Sequence, residues 1–173
     1  SVLLRASKSY DPNKNKLSNG FRKGKFDWGY ALEGRLNAGS STNVQLIDAH
    51  VKVKYSILEA KLGRTKDVMG LNGDTLLSSG NFAVSGNALG VPMLNISIPD
   101  YYRITVLDGL ISLKANFSNG YMGKMEVGQG QFTVPIADRR VPTLLHQKSL
   151  YGRIGKEAWR LNLYGGINHQ AQY

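Results

Sequence analysis

The sequence predicts an all-β chain: an antiparallel transmembrane β-barrel, present in part, as a piece of a larger barrel. Three observations lead there. Apolar and polar residues alternate with period two over unusually long segments. Gly supplies 20 of 173 residues, about 12% against an average near 7%, and nine Tyr accompany only five Pro. No run reaches the 18 or more apolar residues of a spanning helix, whereas barrel strands alternate and leave no hydropathy peak.

Residues 1–25 read as a leading segment and loop. From Ser7 to Lys25 the chain is polar, with turn signals at Asp11-Pro12-Asn13 and Ser18-Asn19-Gly20. The pattern then sharpens. Phe26, Trp28, Tyr30, Leu32, Gly34 and Leu36 fall on one parity, and Asp27, Gly29, Ala31, Glu33, Arg35 and Asn37 on the other. After a turn at Ala38-Gly39-Ser40-Ser41, a second run puts Ile47, Ala49, Val51, Val53, Tyr55 and Ile57 opposite Asp48, His50, Lys52, Lys54 and Ser56. Leu46 is the exception, and the strand is expected to run on towards Leu62. Ten residues at about 3.3 Å, tilted about 45°, cross roughly 23 Å, close to the apolar band of an outer-membrane barrel. Phe26, Trp28 and Tyr30 would form an interfacial girdle, with Leu32 and Leu36 in hydrocarbon. Trp28, Leu32, Val53 and Leu161 are expected to face lipid.

Residues 63–107 break the rhythm. Six glycines from Gly63 to Gly90 punctuate the segment, and Pro92 and Pro99 flank a short apolar stretch, so it reads as irregular or plug-like. Alternation returns at Ile111, Leu113, Ala115 and Phe117. Gln131 to Ile136 gives a weaker strand, and Leu144 to Ile154 a poorly alternating one. In the last run Trp159, Leu161, Leu163, Gly165, Ile167 and Ala171 oppose Arg160, Asn162, Tyr164, Asn168, Gln170 and Gln172, with His169 the misfit. Five or six strands result, whereas a closed bacterial barrel has an even number of at least eight. Either strands hide within 63–107, or residues 26–62 and 108–173 belong to a larger barrel. The start at Ser1, with no Met and no signal peptide, is expected to be processed or truncated.

The chain carries 22 Lys and Arg against 12 Asp and Glu, a net charge of +10, and no Cys. A disulfide framework and thiolate metal sites are therefore excluded. The basic balance suits nucleic acid, an anionic membrane or polysaccharide, or a fragment lacking its acidic part. The one basic cluster, Lys14, Lys16, Arg22, Lys23 and Lys25, matches no nucleic-acid motif.

Three stretches resemble the capsule-assembly family of outer-membrane proteins, the Wzi-type barrels in their Bacteroidetes-like form. They are Leu76-Leu77-Ser78-Ser79-Gly80-Asn81-Phe82-Ala83-Val84-Ser85-Gly86-Asn87-Ala88, Leu145-His146-Gln147-Lys148-Ser149-Leu150-Tyr151-Gly152-Arg153-Ile154-Gly155, and Trp159-Arg160-Leu161-Asn162-Leu163-Tyr164-Gly165-Gly166-Ile167-Asn168-His169-Gln170. The likeness runs from about residue 26 to the end. It implies a Gram-negative outer-membrane barrel that retains capsular or other surface polysaccharide as a lectin, not an enzyme. Family members are considerably longer, so an N-terminal fragment is implied.

The residues leave little room for catalysis. His50, His146 and His169 show no metal-ligand spacing, and no G-x-S-x-G elbow, Walker A sequence or complete dinucleotide fingerprint occurs. Asp27 and Glu33 share a strand face but sit about 20 Å apart, too far for a glycosidase pair. No cofactor is called for. Sugar binding uses aromatic faces and planar polar groups, the chemistry of Arg160, Asn162, Tyr164, Asn168 and Gln170, with His146, Lys148 and Arg153 able to join from the preceding segment. A hydrated barrel interior needs the same residues. Three functions stay open: a polysaccharide-retaining barrel with other envelope proteins as further partners; a channel or accessory barrel of another envelope complex; and a soluble basic β-domain that binds an anionic polymer.

Overall fold

A computed structural model describes residues 1–11, 26–38, 42–65, 88–126, 140–156 and 158–173. They form eight strands: β1 Val2–Lys8, β2 Phe26–Asn37, β3 Asn43–Tyr55, β4 Leu58–Thr65, β5 Val91–Arg103, β6 Ile111–Glu126, β7 Arg140–Ile154 and β8 Leu163–Gln172. A 3-10 turn, Val106–Gly109, links β5 to β6. Each strand pairs antiparallel with its sequence neighbour, giving one meander ordered β1 to β8 with β1 and β8 as its edges.

The long period-two runs become long strands, but several boundaries move. The run expected to continue towards Leu62 is two strands. Tyr55 pairs with Leu58 across the two-residue turn Ser56-Ile57. Ser56 sits at φ 57°, the positive φ a II′ hairpin needs at its first central position. The turn switches the outward parity from odd (Val51, Val53, Tyr55) to even (Leu58, Leu62), so a single run cannot continue through it. The segment 63–107 is not irregular throughout: it holds the end of β4, all of β5 and the start of the 3-10 turn. Pro92 and Pro99 stand near the two ends of β5, which bulges between Ile98 and Tyr102, so neither interrupts its central pairing. Leu76 to Ala88 lies outside the described residues except for Ala88, and the weaker strand Gln131 to Ile136 lies wholly outside them. β1 falls in the leading segment, where Leu3 blurs an alternation of only seven residues. β8 begins at Leu163, not Trp159.

Leu46 finds its explanation in a bulge. Glu33 pairs with Asp48 and the next residue, Gly34, with Leu46, leaving Ile47 as the extra residue on β3. The insertion reverses the phase of the strand. Leu46 and Val44 therefore share a face with Val51 and Val53, and Gln45 joins the polar side.

The sheet curls, and the polar face is the inside of the curl. Tyr101 on β5 and Tyr164 on β8 lie three strands apart, about 14 Å in a flat sheet. Their ring centroids are 5.5 Å apart. Lys54 Nζ on β3 likewise reaches Asp100 Oδ2 on β5 at 3.3 Å. Among the described residues only Val91, Leu145 and Tyr151 are buried apolar side chains. Nine polar or charged ones are buried: Asp27, Lys54, Thr65, Asn95, Ser112, Ser118, Gln147, Ser149 and Arg153. The convex face exposes Leu32, Val51, Val53, Leu62, Leu94, Ile96, Leu150 and Ile167. Phe26, Trp28 and Tyr55 flank this belt at one end, and Tyr121 and Tyr173 at the other. The ordinary arrangement of a soluble sheet, apolar inside and polar outside, is inverted.

Candidate functional site: the polar concave face

The concave face has two zones with different chemistry. The first, on β1 to β5, is charged. Asp27, 3% exposed, stands opposite Lys54, 6% exposed. Asp27 Oδ2 accepts the Asp11 backbone N–H at 2.8 Å, and its Oδ1 accepts that of Trp28 at 2.9 Å. Glu33 and Asp48 are directly opposite, a repulsive pairing. Each has its own relief: Arg5 Nε lies 3.6 Å from Glu33, and His50 Nδ1 2.6 Å from Asp48 Oδ1. Lys52 Nζ sits 4.4 Å from the Tyr10 ring centroid and Lys54 Nζ 5.7 Å. Burial, and then the neighbouring carboxylate of Glu59, hold the Tyr10 hydroxyl protonated well above its ordinary range. Asp27 and Glu33 keep their separation along β2, and the charges form a ladder across the strands. Among the described residues no three His, Asp or Glu side chains gather within reach of one metal ion.

The second zone, on β5 to β8, is an array of amides and hydroxyls set by register. One row runs straight across four strands: Asn95, Ser118, Gln147 and Gln170. The next row is Ser97, Asn116, Ser149 and Asn168. Ser118 Oγ donates to Gln147 Oε1 at 3.3 Å. The buried atoms Asn95 Oδ1, Asn116 Oδ1 and Gln147 Nε2 make no hydrogen bond among the described residues. A buried amide that is left unpaired costs about 1–3 kcal/mol, so this array is built to meet further hydroxyls or water.

Towards the β5–β6 and β7–β8 connections the array ends in aromatic and cationic groups. Arg153 Nη2 donates to Ser112 Oγ at 3.2 Å, and its guanidinium lies 5.5 Å from the Tyr101 ring centroid. Tyr101 meets Tyr164 edge to face, and Tyr151 pairs in register with Lys114. The two connections are clamped together by the ion pair of Lys156 with Asp108. That hydrogen bond and charge hold the Asp108 carboxyl below the usual carboxylate range.

Of the residues picked for sugar binding, the structure brings Arg153, Tyr164, Asn168 and Gln170 onto this one face. It separates the other four. His146 and Lys148 alternate with the buried Leu145, Gln147 and Ser149 on β7, so they stand on the convex face. Arg160 and Asn162 precede β8 and belong to the connection before it. Asn162 Nδ2 donates to the Trp159 carbonyl at 3.2 Å, a turn-forming role. Leu161 lies in the same connection and not on a strand. Trp28, Leu32 and Val53 are exposed on the convex face.

Sequence reasoning missed Asn95, Ser97, Asn116, Ser118, Gln147 and Ser149. The signal was present: Leu94, Ile96 and Ile98 alternate with Asn95 and Ser97, but two prolines disguised the strand. On β7 the apolar Leu145 and Tyr151 sit inside while the polar His146 and Lys148 sit outside, which hid the parity.

Comparison with protein-family models, curated proteins and solved structures finds no match for this chain.

Proposed function

We propose that this chain is part of a transmembrane β-barrel of a bacterial outer membrane, and that its concave face holds a surface polysaccharide without catalysing a reaction. One observation carries the membrane reading: the sheet buries polar side chains and exposes a broad apolar belt with aromatics at both ends. Soluble monomers rarely expose apolar patches beyond a few hundred Å². In a bilayer the same belt is solvated by lipid, and the polar face lines the interior. The free edges of β1 and β8 need partners in a membrane, because unpaired backbone groups in hydrocarbon cost several kcal/mol each. That favours a larger or closed barrel.

The polysaccharide reading rests on the amide and hydroxyl array, on the Tyr101, Arg153 and Tyr164 cluster beside it, and on the resemblance of residues 145–155 and 159–170 to capsule-assembly barrels. A hydroxyl-rich polymer both donates to and accepts from planar amides, which suits Asn95 Oδ1, Asn116 Oδ1 and Gln147 Nε2, left without hydrogen bonds among the described residues.

The test has two stages. Extraction from a membrane fraction should require detergent; a protein that stays in solution without it refutes the barrel. Cell-surface polysaccharide should then co-purify with the extracted protein and be lost from the Asn168→Ala, Gln170→Ala double variant. Equal recovery from both proteins would refute the lectin role and leave a channel or accessory barrel.

A further inference from the structure

Among the described residues the convex face carries isolated cations at Lys8 on β1 and Arg64 on β4, and one cluster of polar side chains, on β6 to β8. Asn119, His146, Lys148 and His169 stand together there; His169 is the misfit of the last alternating run. Lys148 pairs in register with Phe117 on one side and His169 on the other, and Asn119 with His146. His146 Nδ1 lies 2.7 Å from Asn119 Oδ1. Its ring centroid is 5.1 Å from that of Phe117 and 6.1 Å from that of His169. Lys148 Nζ hangs 5.8 Å from the Phe117 ring centroid. Leu150 and Ile167 bound the group on one side; Tyr121, Leu144 and Tyr173 bound it on the other.

A fixed positive charge and two imidazoles are out of place on a face otherwise solvated by hydrocarbon, unless something anionic meets them. Lys148 can extend its stem along the apolar surface and carry its ammonium towards the Tyr121 and Tyr173 end, where headgroups begin. The exposed Lys124 lies further towards that same end of β6. The spacing also fits. Phosphate oxygens take charge-assisted hydrogen bonds of about 2.8 Å from each donor, so one phosphate spans donors roughly 6 Å apart. The Lys148 ammonium alone offers three donors. Asn119 fixes the orientation of His146.

We infer that this patch binds the phosphate of an anionic lipid headgroup. The inference rests on the membrane-barrel reading, and uses none of the concave residues assigned to polysaccharide. The test uses the full chain in nanodiscs containing equal phosphatidylglycerol and phosphatidylcholine, with lipid retention read by native mass spectrometry after transfer to neutral detergent. Wild type should retain phosphatidylglycerol over phosphatidylcholine by about fivefold, the factor expected of one basic side chain at an anionic surface. Lys148→Gln and the His146→Gln, His169→Gln double variant should lose that preference, while Arg5→Gln on the opposite face keeps it. Equal retention of the two lipids, or an unchanged preference in both variants, overturns the inference. Displacement of the lipid by inorganic phosphate at equal concentration would assign the site to a free anion, and a second protein chain retained in place of lipid would assign it to an interface; either overturns the headgroup assignment. Solubility without detergent would instead refute the membrane reading itself, so the two failures are told apart.

Discussion

Val51→Arg tests the inverted sheet most directly. Val51 is 56% exposed on the convex face of β3, with Tyr30 and Leu62 opposite it in register. Outward positions on β3 run from Tyr55 to Val44, so Val51 and Ala49 sit near the middle of the span. In water an exposed Val→Arg change on a sheet is worth about 0.5 kcal/mol or less. At the midplane of a barrel it costs about 2–4 kcal/mol, and near the interface about 0–1 kcal/mol. The expected shift in the folding equilibrium is therefore about 30- to 700-fold for Val51→Arg. Tyr55→Arg, two outward positions nearer the aromatic girdle, should lose less through the charge itself. Urea unfolding in phospholipid vesicles, followed by fluorescence of Trp28 and Trp159, reads both. A cost for Val51→Arg below about 0.5 kcal/mol would refute the assignment of this face to lipid.

Other expectations follow from particular contacts. Gly29→Ala should destabilise the β1–β2 pair by about 1–3 kcal/mol, because a Cβ there would sit 2.6 Å from the Lys8 carbonyl oxygen; the same urea titration measures it. Lys54→Ala should cost about 1–3 kcal/mol by leaving the buried Asp27 facing Asp100 and Glu59 without the cation between them, and Lys54→Arg should recover part of it. Leu161→Arg should be tolerated, since it lies in a connection; a loss like that of Val51→Arg would mean β8 extends further than Leu163. The Asp108–Lys156 pair should impose acid sensitivity. Asp108 is held below its ordinary 3.8, so its contribution is complete above that pH and fades as pH falls through the lower folded value. Asp108→Asn should flatten that acid limb in a stability-against-pH series.

Much of the architecture was legible because period two is a backbone property: β2 carries it throughout, β3 as far as the bulge at Ile47, and β8 with only His169 out of class. The breaks were legible only in part. Ser56-Ile57 is a turn without Gly, Asn or Pro, so nothing in its residue types announces it. β5 was hidden by prolines that stand where the ladder is already ending or bulging. The functional face was half legible. Tyr164, Asn168 and Gln170 could be placed by alternation within one strand, but the rows they belong to exist only across strands. Asn95 and Gln147 are 52 residues apart in sequence and two strands apart in register, a relation fixed by pairing alone. His146 and Lys148 were misplaced because polarity was taken to mean interior, and on this sheet a polar side chain outside has its own use.

The extra residue at Ile47 shows how little chain separates the two environments of this sheet. Upstream of it, odd-numbered β3 residues turn inward; downstream, even-numbered ones do. A deletion of Ile47 would only remove the bulge, leaving Leu46 beside Asp48 in plain alternation with Val44 and Leu46 still outward; a deletion of Val51, where no extra residue exists, would instead turn Lys52 and Lys54 towards hydrocarbon or force the hairpin with β4 to slide. Inside and outside are thus a counting convention along this chain, reset at a single position, and mutational tolerance around residues 43–48 should follow the count rather than the chemistry of any one side chain.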